Sequence, residues 1–405
     1  MPRKSHPERG SLLIAAVSGR ALAHAARRAG FTPLVADFFA DLDTQEMAHA
    51  CRKLKGDMNR GIRWQSLGPA LEALNLAAPS PVIGFVYGAG FEDRPDLLAK
   101  IAKRWPVLGN DAATIECVKA PESFFAALDR LDIPHPKTGT KRPAKTSGWL
   151  AKRRGGAGGS HVVPSRLGKD GSNTYYQERV KGRAVSALFV ANGESARVLG
   201  FSEQWTAPTP RSPWRYGGAM QPAALSAAAK GKMAGAVEQA AGAFKLKGLG
   251  SADFLVGEDG PLLLEINPRP GATLDIFDSD STPLLKLHLD AAMEGKLPRI
   301  GLRLDGGMAS AIVYAPEAIA VPPRMIWPDW AADRPKPGDR IDKSRPICTV
   351  CARAATGAKA RQLVEQRIFN ILSALRDLTR GEISGQGREA ERDRVVPGRL
   401  AERQH

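Results

Sequence analysis

Two short constellations in this chain carry residue types that could do chemistry. The first is Trp149-Leu150-Ala151-Lys152 followed by Arg153-Arg154-Gly155-Gly156-Ala157-Gly158-Gly159-Ser160. Four glycines, Gly155, Gly156, Gly158 and Gly159, allow backbone N–H groups to approach phosphate oxygens without side-chain obstruction, and Lys152 at the loop mouth supplies charge. No Gly-Lys-Ser/Thr closes this loop into a helix, so it is not a Walker loop; His161-Val162-Val163 reads as a return strand and predicts a hairpin flap. The second is Asp253, then Glu265-Ile266-Asn267-Pro268-Arg269, separated by the turn Gly257-Glu258-Asp259-Gly260. Strand alternation puts Glu265 and Asn267 on one face. With Asp253 on the neighbouring strand they form an oxygen set suited to Mg²⁺, or Mn²⁺ in its place, completed by substrate phosphates. Arg269 continues that face, where a guanidinium can stabilise a transferring phosphoryl group or grip a carboxylate.

The elements that must position these residues follow from hydrophobic patterning. Leu12–Val17, Thr32–Ala36 and Val82–Tyr87 read as buried strands alternating with helices near 20–29 and 94–104, so residues 10–115 form a parallel α/β domain with a short strand near 107–109. Helices are expected over 111–117 and 121–131, and Ile133-Pro134-His135-Pro136 breaks the pattern. A second domain at 116–300 is α+β. Its strands lie at 148–153, 161–164, 175–180, 185–192, 197–203, 251–256 and 261–266, with a helix over 225–244 and the flap at about 135–180. Residues 301–380 form a C-terminal β-rich segment plus a helix near 358–376, and 385–405 reads as a charged, disordered tail.

Composition narrows the function classes. The 405 residues carry 58 Lys+Arg against 42 Asp+Glu, a net charge of +16 that favours anionic ligands. Nine of the basic residues fall between Lys137 and Lys169 with no acid among them, around the glycine loop. Without interleaved aromatics the tract speaks for polyphosphate and against nucleic acid. No apolar run spans a membrane, and four dispersed cysteines (Cys51, Cys117, Cys348, Cys351) point to a reducing cytoplasm. The lone Cys348-x-x-Cys351 reads as strand packing, not as a metal or redox site. Tyr216-Gly217-Gly218-Ala219 reads as a Gly-rich loop beside the acceptor pocket, Glu203 as a solvent-facing strand end, His161 as a flap residue, and Trp205, Trp214, Trp327 and Trp330 as packing groups.

In order and spacing these motifs resemble the ATP-grasp superfamily of carboxylate–amine and carboxylate–thiol ligases and biotin-dependent carboxylases, over most of residues 10–355. The likeness is nearest to the purine-biosynthesis branch and to predicted ATP-dependent carboligases, through Gly271-Ala272-Thr273-Leu274-Asp275 and Lys286-Leu287-His288-Leu289. It implies an N-terminal pre-ATP-grasp domain, a two-part grasp domain and a small C-terminal barrel. It also implies that Lys119, in Val118-Lys119-Ala120-Pro121, and Lys152 hold ATP phosphates, and that the hinge Gln177-Glu178-Arg179-Val180 holds adenine. Asp253, Glu265 and Asn267 would bind the metal and Arg269 the developing anion. Many members place a ribose-binding glutamate just after the hinge; Gly182-Arg183-Ala184-Val185-Ser186 offers none.

The activity implied is an ADP-forming ligation through an acyl phosphate, joining a small carboxylate to an amine, with glutamate-type addition in cofactor or metabolite biosynthesis as one form. A bicarbonate-activating carboxylase and a nucleotide-binding regulatory protein without turnover are the alternatives. No nucleic-acid or membrane partner is expected, and a homodimer is expected on general frequency.

Overall fold

The computed structural model describes residues 9–56 and 60–392, with side chains to 379. It opens with β1 (Ser11–Ala15), α1 (Arg20–Arg28), β2 (Thr32–Asp37), α2 (Leu42–Met47), β3 (Ala50–Lys53), α3 (Trp64–Leu76), β4 (Val82–Tyr87) and α4 (Pro95–Ala102). The four strands form a parallel sheet in the order β3-β2-β1-β4. In β1, Leu12 and Ile14 enter one core and Leu13 and Ala15 another, because a parallel sheet is covered on both faces. The expected strand near 107–109 reduces to a single bridge between Phe85 and Val107. Sequence patterning passed over α2, β3 and α3: β3 is a short, partly exposed edge strand, and α3 contains Pro69.

Helices α5 (Ala112–Lys119) and α6 (Pro121–Arg130) lead into a small antiparallel sheet of β5 (Thr138–Gly139), β6 (Trp149–Arg153), β7 (Val162–Pro164) and β8 (Thr174–Glu178), in the order β5-β8-β6-β7. The chain continues through β9 (Arg183–Asn192), β10 (Ala196–Thr206), β11 (Tyr216–Gln221), α7 (Ala227–Ala243), β12 (Lys247–Gly257), β13 (Gly260–Asn267), α8 (Leu274–Phe277) and α9 (Leu284–Glu294). Residues 216–219, expected as a loop, are strand: Gly217 and Gly218 lie against Trp205, and a Cβ on either would collide with it.

The last elements are β14 (Gly307–Tyr314), β15 (Ile319–Ala320), β16 (Ala331–Ala332), β17 (Arg340–Ile341), β18 (Pro346–Ala354) and α10 (Gly357–Arg392). β14, β18 and β16 extend the central sheet, whose order is β13-β12-β9-β10-β11-β14-β18-β16, while β15 and β17 form a separate ribbon. The stretch from Gly385 expected as a tail is helical to Arg392, and 393–405 lie outside the described residues. Cys348 and Cys351, three apart on β18, face opposite sides of the sheet. Cys348 is buried in the apolar cluster under α10.

One face of the central sheet carries α6 and α7 around Val185, Phe189, Phe254 and Leu263. The other packs Leu188, Val190 and Leu249 against α8, α9 and, through them, the α1 side of the N-terminal sheet, so one apolar core runs between the two. Buried hydrogen bonds fix their relative orientation. His288 accepts from the Leu249 N–H at Nδ1 (2.8 Å) and its Nε2–H donates to the Leu108 carbonyl (2.7 Å). Asn110 donates to the carbonyls of Lys247 and Pro268, both at 2.9 Å.

Burial pushes His288 from its ordinary 6.5 down to about 4. The unfolded chain therefore binds a proton at this position that the folded one refuses, and the stability this neutral imidazole contributes is lost as pH falls from about 6.5 to about 4. Chemical denaturation of the wild type and His288→Gln across that range is expected to show a shallower pH dependence in the variant, by at most about 1.4 kcal/mol per pH unit.

Candidate functional site

The site forms where β12 and β13 meet α5, the flap and the loop after β4. The antiparallel register pairs Asp253 with Glu265 and Ser251 with Asn267. A bulge follows Asp253, so Phe254 pairs with Leu263 and Leu264 has no opposite number. Asp253, Glu265 and Asn267 thereby share the face that looks toward the N-terminal domain. Asp253 accepts from Ser186 Oγ (2.6 Å), Gln204 Nε2 (3.3 Å) and Asn267 Nδ2 (3.0 Å).

The lysines arrive from two other elements. Lys119, in the last turn of α5, donates to Asn267 Oδ1 at 3.0 Å and lies 3.6 Å from Glu265 Oε2. Its ammonium thus bridges the two groups expected to take a cation. Lys152 on β6 is buried and donates to Gln177 Oε1 at 2.6 Å, while Gln177 Nε2 donates to Thr138 Oγ1. Burial pushes the Lys152 ammonium down, opposed by the fields of Glu265 and Asp253. Against its own burial, Lys119 and Lys152 hold Glu265 below the usual carboxylate range, whereas burial and the nearby Glu265 raise Asp253 above it. Among the described residues no group of three or more His, Cys, Asp and Glu could hold a metal by itself. The hard oxygens of two carboxylates and one amide suit Mg²⁺ only when phosphates complete the shell.

The flap is β6, the glycine loop and β7. Gly155 and Gly159 have φ of +61° and +70°. A Cβ on Gly155 would sit 2.7 Å from Glu92 O and Asp93 Cα, and one on Gly159 only 1.9 Å from Trp214 O. The loop tip is therefore pressed against the N-terminal domain on one side and the β10–β11 connection on the other. The Tyr216 N–H donates to Gly158 O at 3.0 Å, and Arg154 pairs with Glu122. Gly156 lies against the His161 ring, whose pKa burial pushes down to about 4 and whose Nδ1 has no partner. Beneath the flap, a small cleft is lined by Val118, Phe124, Phe125, Tyr175 and Leu264 together with the charged Lys119, Arg153 and Glu265.

The structure brings Lys119, Lys152, Asp253, Glu265 and Asn267 together. The hinge sits at the edge: the Glu178 N–H donates to Lys137 O and the Arg179 N–H to Gly148 O, while Arg179 lies over the Trp214 ring. Gln177 positions Lys152, and Val180 begins the connection into β9. Glu203, expected in solvent, pairs with Arg183.

Arg269 is not open on the Glu265 face. Its Nε and a terminal nitrogen both contact Glu92 Oε1 at 2.7 Å, with side-chain exposures of 9% and 2%. Sequence reasoning missed Glu92, which lies 177 positions away on the loop after β4. The one local signal was the turn Gly88-Ala89-Gly90: the Gly90 and Phe91 N–H groups hold Glu92 Oε2, and Arg269 overcomes burial to lower its pKa. Glu92→Gln, which leaves Arg269 buried without its counter-charge, is expected to cost about 3 kcal/mol in urea denaturation. The double variant Glu92→Gln/Arg269→Gln should recover part of that loss.

Residues 123–273 match the family described as the ATP-grasp domain. An uncharacterized protein of Methanocaldococcus jannaschii is 30% identical over 113 residues, which span 27% of this chain and 27% of that protein. Among solved structures, the fold is similar to the biotin carboxylase domain of Hydrogenobacter thermophilus 2-oxoglutarate carboxylase, a dimer in complex with MgADP, ADP and bicarbonate. The TM-score there is 0.66 at 13% identity, over 88% of this chain and 89% of that one. It is also similar to N5-carboxyaminoimidazole synthetase of Staphylococcus aureus complexed with ADP (TM-score 0.62, 14% identity, 90% and 98% covered). Residues 123–273 thus match the ATP-grasp domain, and the fold is shared with these proteins across most of the chain's length.

Proposed function

We propose that the protein is an ADP-forming ligase that activates a carboxylate as an acyl phosphate and passes the acyl group to an amine. The observation that carries this reading is the junction of Glu265, Asp253 and Asn267 with Lys119 and Lys152, anionic oxygens facing buried ammonium groups. A metal-bound polyphosphate calls for that combination, since the acids take the cation and the lysines the phosphates.

Glu265, Asn267 and Asp253 would hold Mg²⁺, which when bound neutralises phosphate charge. Lys119 would then turn from Glu265 and Asn267 toward a phosphate. Lys152, kept in place by Gln177, meets the phosphates from the flap side together with backbone N–H groups of Gly155–Gly159. In the first step a substrate carboxylate oxygen forms a bond to the γ-phosphorus as the bond to the departing ADP oxygen breaks. In the second an amine attacks the acyl carbon, phosphate leaves and the amine releases its proton. Positioning and charge stabilisation supply most of the acceleration, with Arg269 turned to the developing anion once Glu92 shares it.

The likeness to a biotin carboxylase domain solved with MgADP and bicarbonate supports nucleotide and metal use. It also favours one second reading, in which bicarbonate is the acid activated. A soluble small-molecule enzyme working as a dimer fits the same likeness, and no described helix is long and apolar enough to cross a membrane.

ADP release by the purified protein with Mg-ATP over a matrix of carboxylic acids and amines, bicarbonate included, tests the reading. Release that requires one acid and one amine together is expected; release on bicarbonate alone would select the carboxylase. Glu265→Gln is expected to lower turnover at least about 100-fold with the fold intact by circular dichroism. Lys152→Ala is expected to weaken Mg-ATP binding about tenfold or more by calorimetry, and unchanged affinity would overturn its assignment.

A further inference from the structure

The face of the central sheet that carries Asp253 continues as a polar strip that the phosphate chemistry does not use. Ser186, opposite Asp253, pairs on its other side with Ser202 of β10. Glu203 pairs with Met220, so Ser202 and Gln221 are neighbours across β10 and β11. Ser202 and Gln221 are 0% and 3% exposed, yet the Ser202 hydroxyl and Gln221 Oε1 have no hydrogen-bond partner, and neither does the buried Tyr216 hydroxyl. Buried polar atoms are ordinarily paired; the neighbouring Ser202 and Gln221, with Tyr216 farther along β11, mark where a ligand or its waters belong. Gln221 is oriented by its own amide, since Nε2 donates to Ile276 O at 3.1 Å and leaves Oε1 as an acceptor. Burial, with Asp275 and Asp253 close enough to add to it, raises the Tyr216 phenol above its ordinary value, so it remains a neutral donor.

Charge defines what the strip can accept. Asp253 stands at one end and Asp275 at the other. The arginines at these ends are already matched: Arg20 grips Asp275 at 2.6 and 2.7 Å and contacts Asp333 at 3.0 Å, and Arg269 is held by Glu92. With both of these guanidiniums matched, a phosphate at these ends finds no free cation, so uncharged hydrogen-bonding groups are what the strip's unpaired atoms call for.

Resting on the ligase reading above, we propose that Ser202, Tyr216 and Gln221 bind the acceptor and select an amine bearing uncharged hydrogen-bonding groups, hydroxyl or amide, in place of phosphate. Gln221 Oε1 takes an N–H or O–H from it, and the two hydroxyls donate or accept as its groups require. An acceptor lacking those groups leaves three buried polar atoms unpaired, which is the stronger source of discrimination.

The test is amine-dependent ADP release with Mg-ATP and a panel of carboxylic acids, using 2-aminoethanol and serinamide against O-phosphoethanolamine, for the wild type, Ser202→Ala and Tyr216→Phe. Hydroxyl- or amide-bearing amines are expected to outperform the phosphorylated one. Each substitution is expected to raise KM for the preferred amine about tenfold, with KM for ATP within about twofold of wild type. Because each removes a hydroxyl without a partner, the melting temperature is expected to hold or rise, which separates binding from a structural role. An unchanged amine KM in both variants, or a preference for O-phosphoethanolamine, overturns the acceptor site and leaves the ligase reading standing. Absence of amine-dependent release under every pairing overturns the ligase reading and this inference with it.

Discussion

The register between β12 and β13 is the constraint on which the site depends. Strand side chains alternate with period two, so a slip of one residue would send Glu265 and Asn267 into the apolar layer beneath α7 and bring Ile266 to the polar face. The bulge after Asp253 reconciles two demands: Leu263 fills the core with no exposure, Leu264 reaches the cleft, and Glu265 still returns opposite Asp253. Ser186 on β9, Gln204 on β10 and Asn267 on β13 then hold Asp253, so three other strands of the sheet fix a single carboxylate.

Around that sheet, the N-terminal domain contributes more than a platform. Its loop after β4 supplies Glu92 to Arg269, its helix α1 supplies Arg20 to Asp275 and Asp333, and its exit segment meets His288 through Leu108 O and reaches Lys247 and Pro268 through Asn110. These ties join regions already packed by a shared apolar core, so their contribution is to orientation: a buried ion pair or hydrogen bond tolerates little misalignment, whereas apolar contact is nearly non-directional. Asp333, at a left-handed φ of +55°, also accepts from Ser18 and Thr349, which brings the C-terminal segment into the same network. The Lys152–Gln177 pair acts likewise within the flap, fixing a buried ammonium that would otherwise lose to desolvation.

The flap itself is held largely through backbone. Gly155 against Glu92, Gly159 against Trp214 and Gly158 accepting from Tyr216 are contacts that side chains would block, which gives the glycine cluster a steric reason beside its suitability for phosphate. Its tip touches both the N-terminal loop that holds Arg269 and the strand that carries the unpaired Tyr216 hydroxyl. The proposed nucleotide and acceptor ends are thus adjacent to one glycine-rich element.

By itself the sequence determined the local patterns. Buried strands in the N-terminal domain, the glycine flap, and the hairpin with Asp253, Glu265 and Asn267 on one face follow from hydrophobic runs, turn residues and period-two alternation, all of which act over a few residues. Only the tertiary structure decided what depends on contacts between distant segments. It placed Glu92 against Arg269, turned Tyr216–Ala219 from a loop into a strand, and joined β14 and β18 to the central sheet. It also set Lys119 between Glu265 and Asn267. Ion pairs and sheet edges are satisfied by whichever groups the fold brings near, and a residue 177 positions away leaves no periodic trace beside its partner.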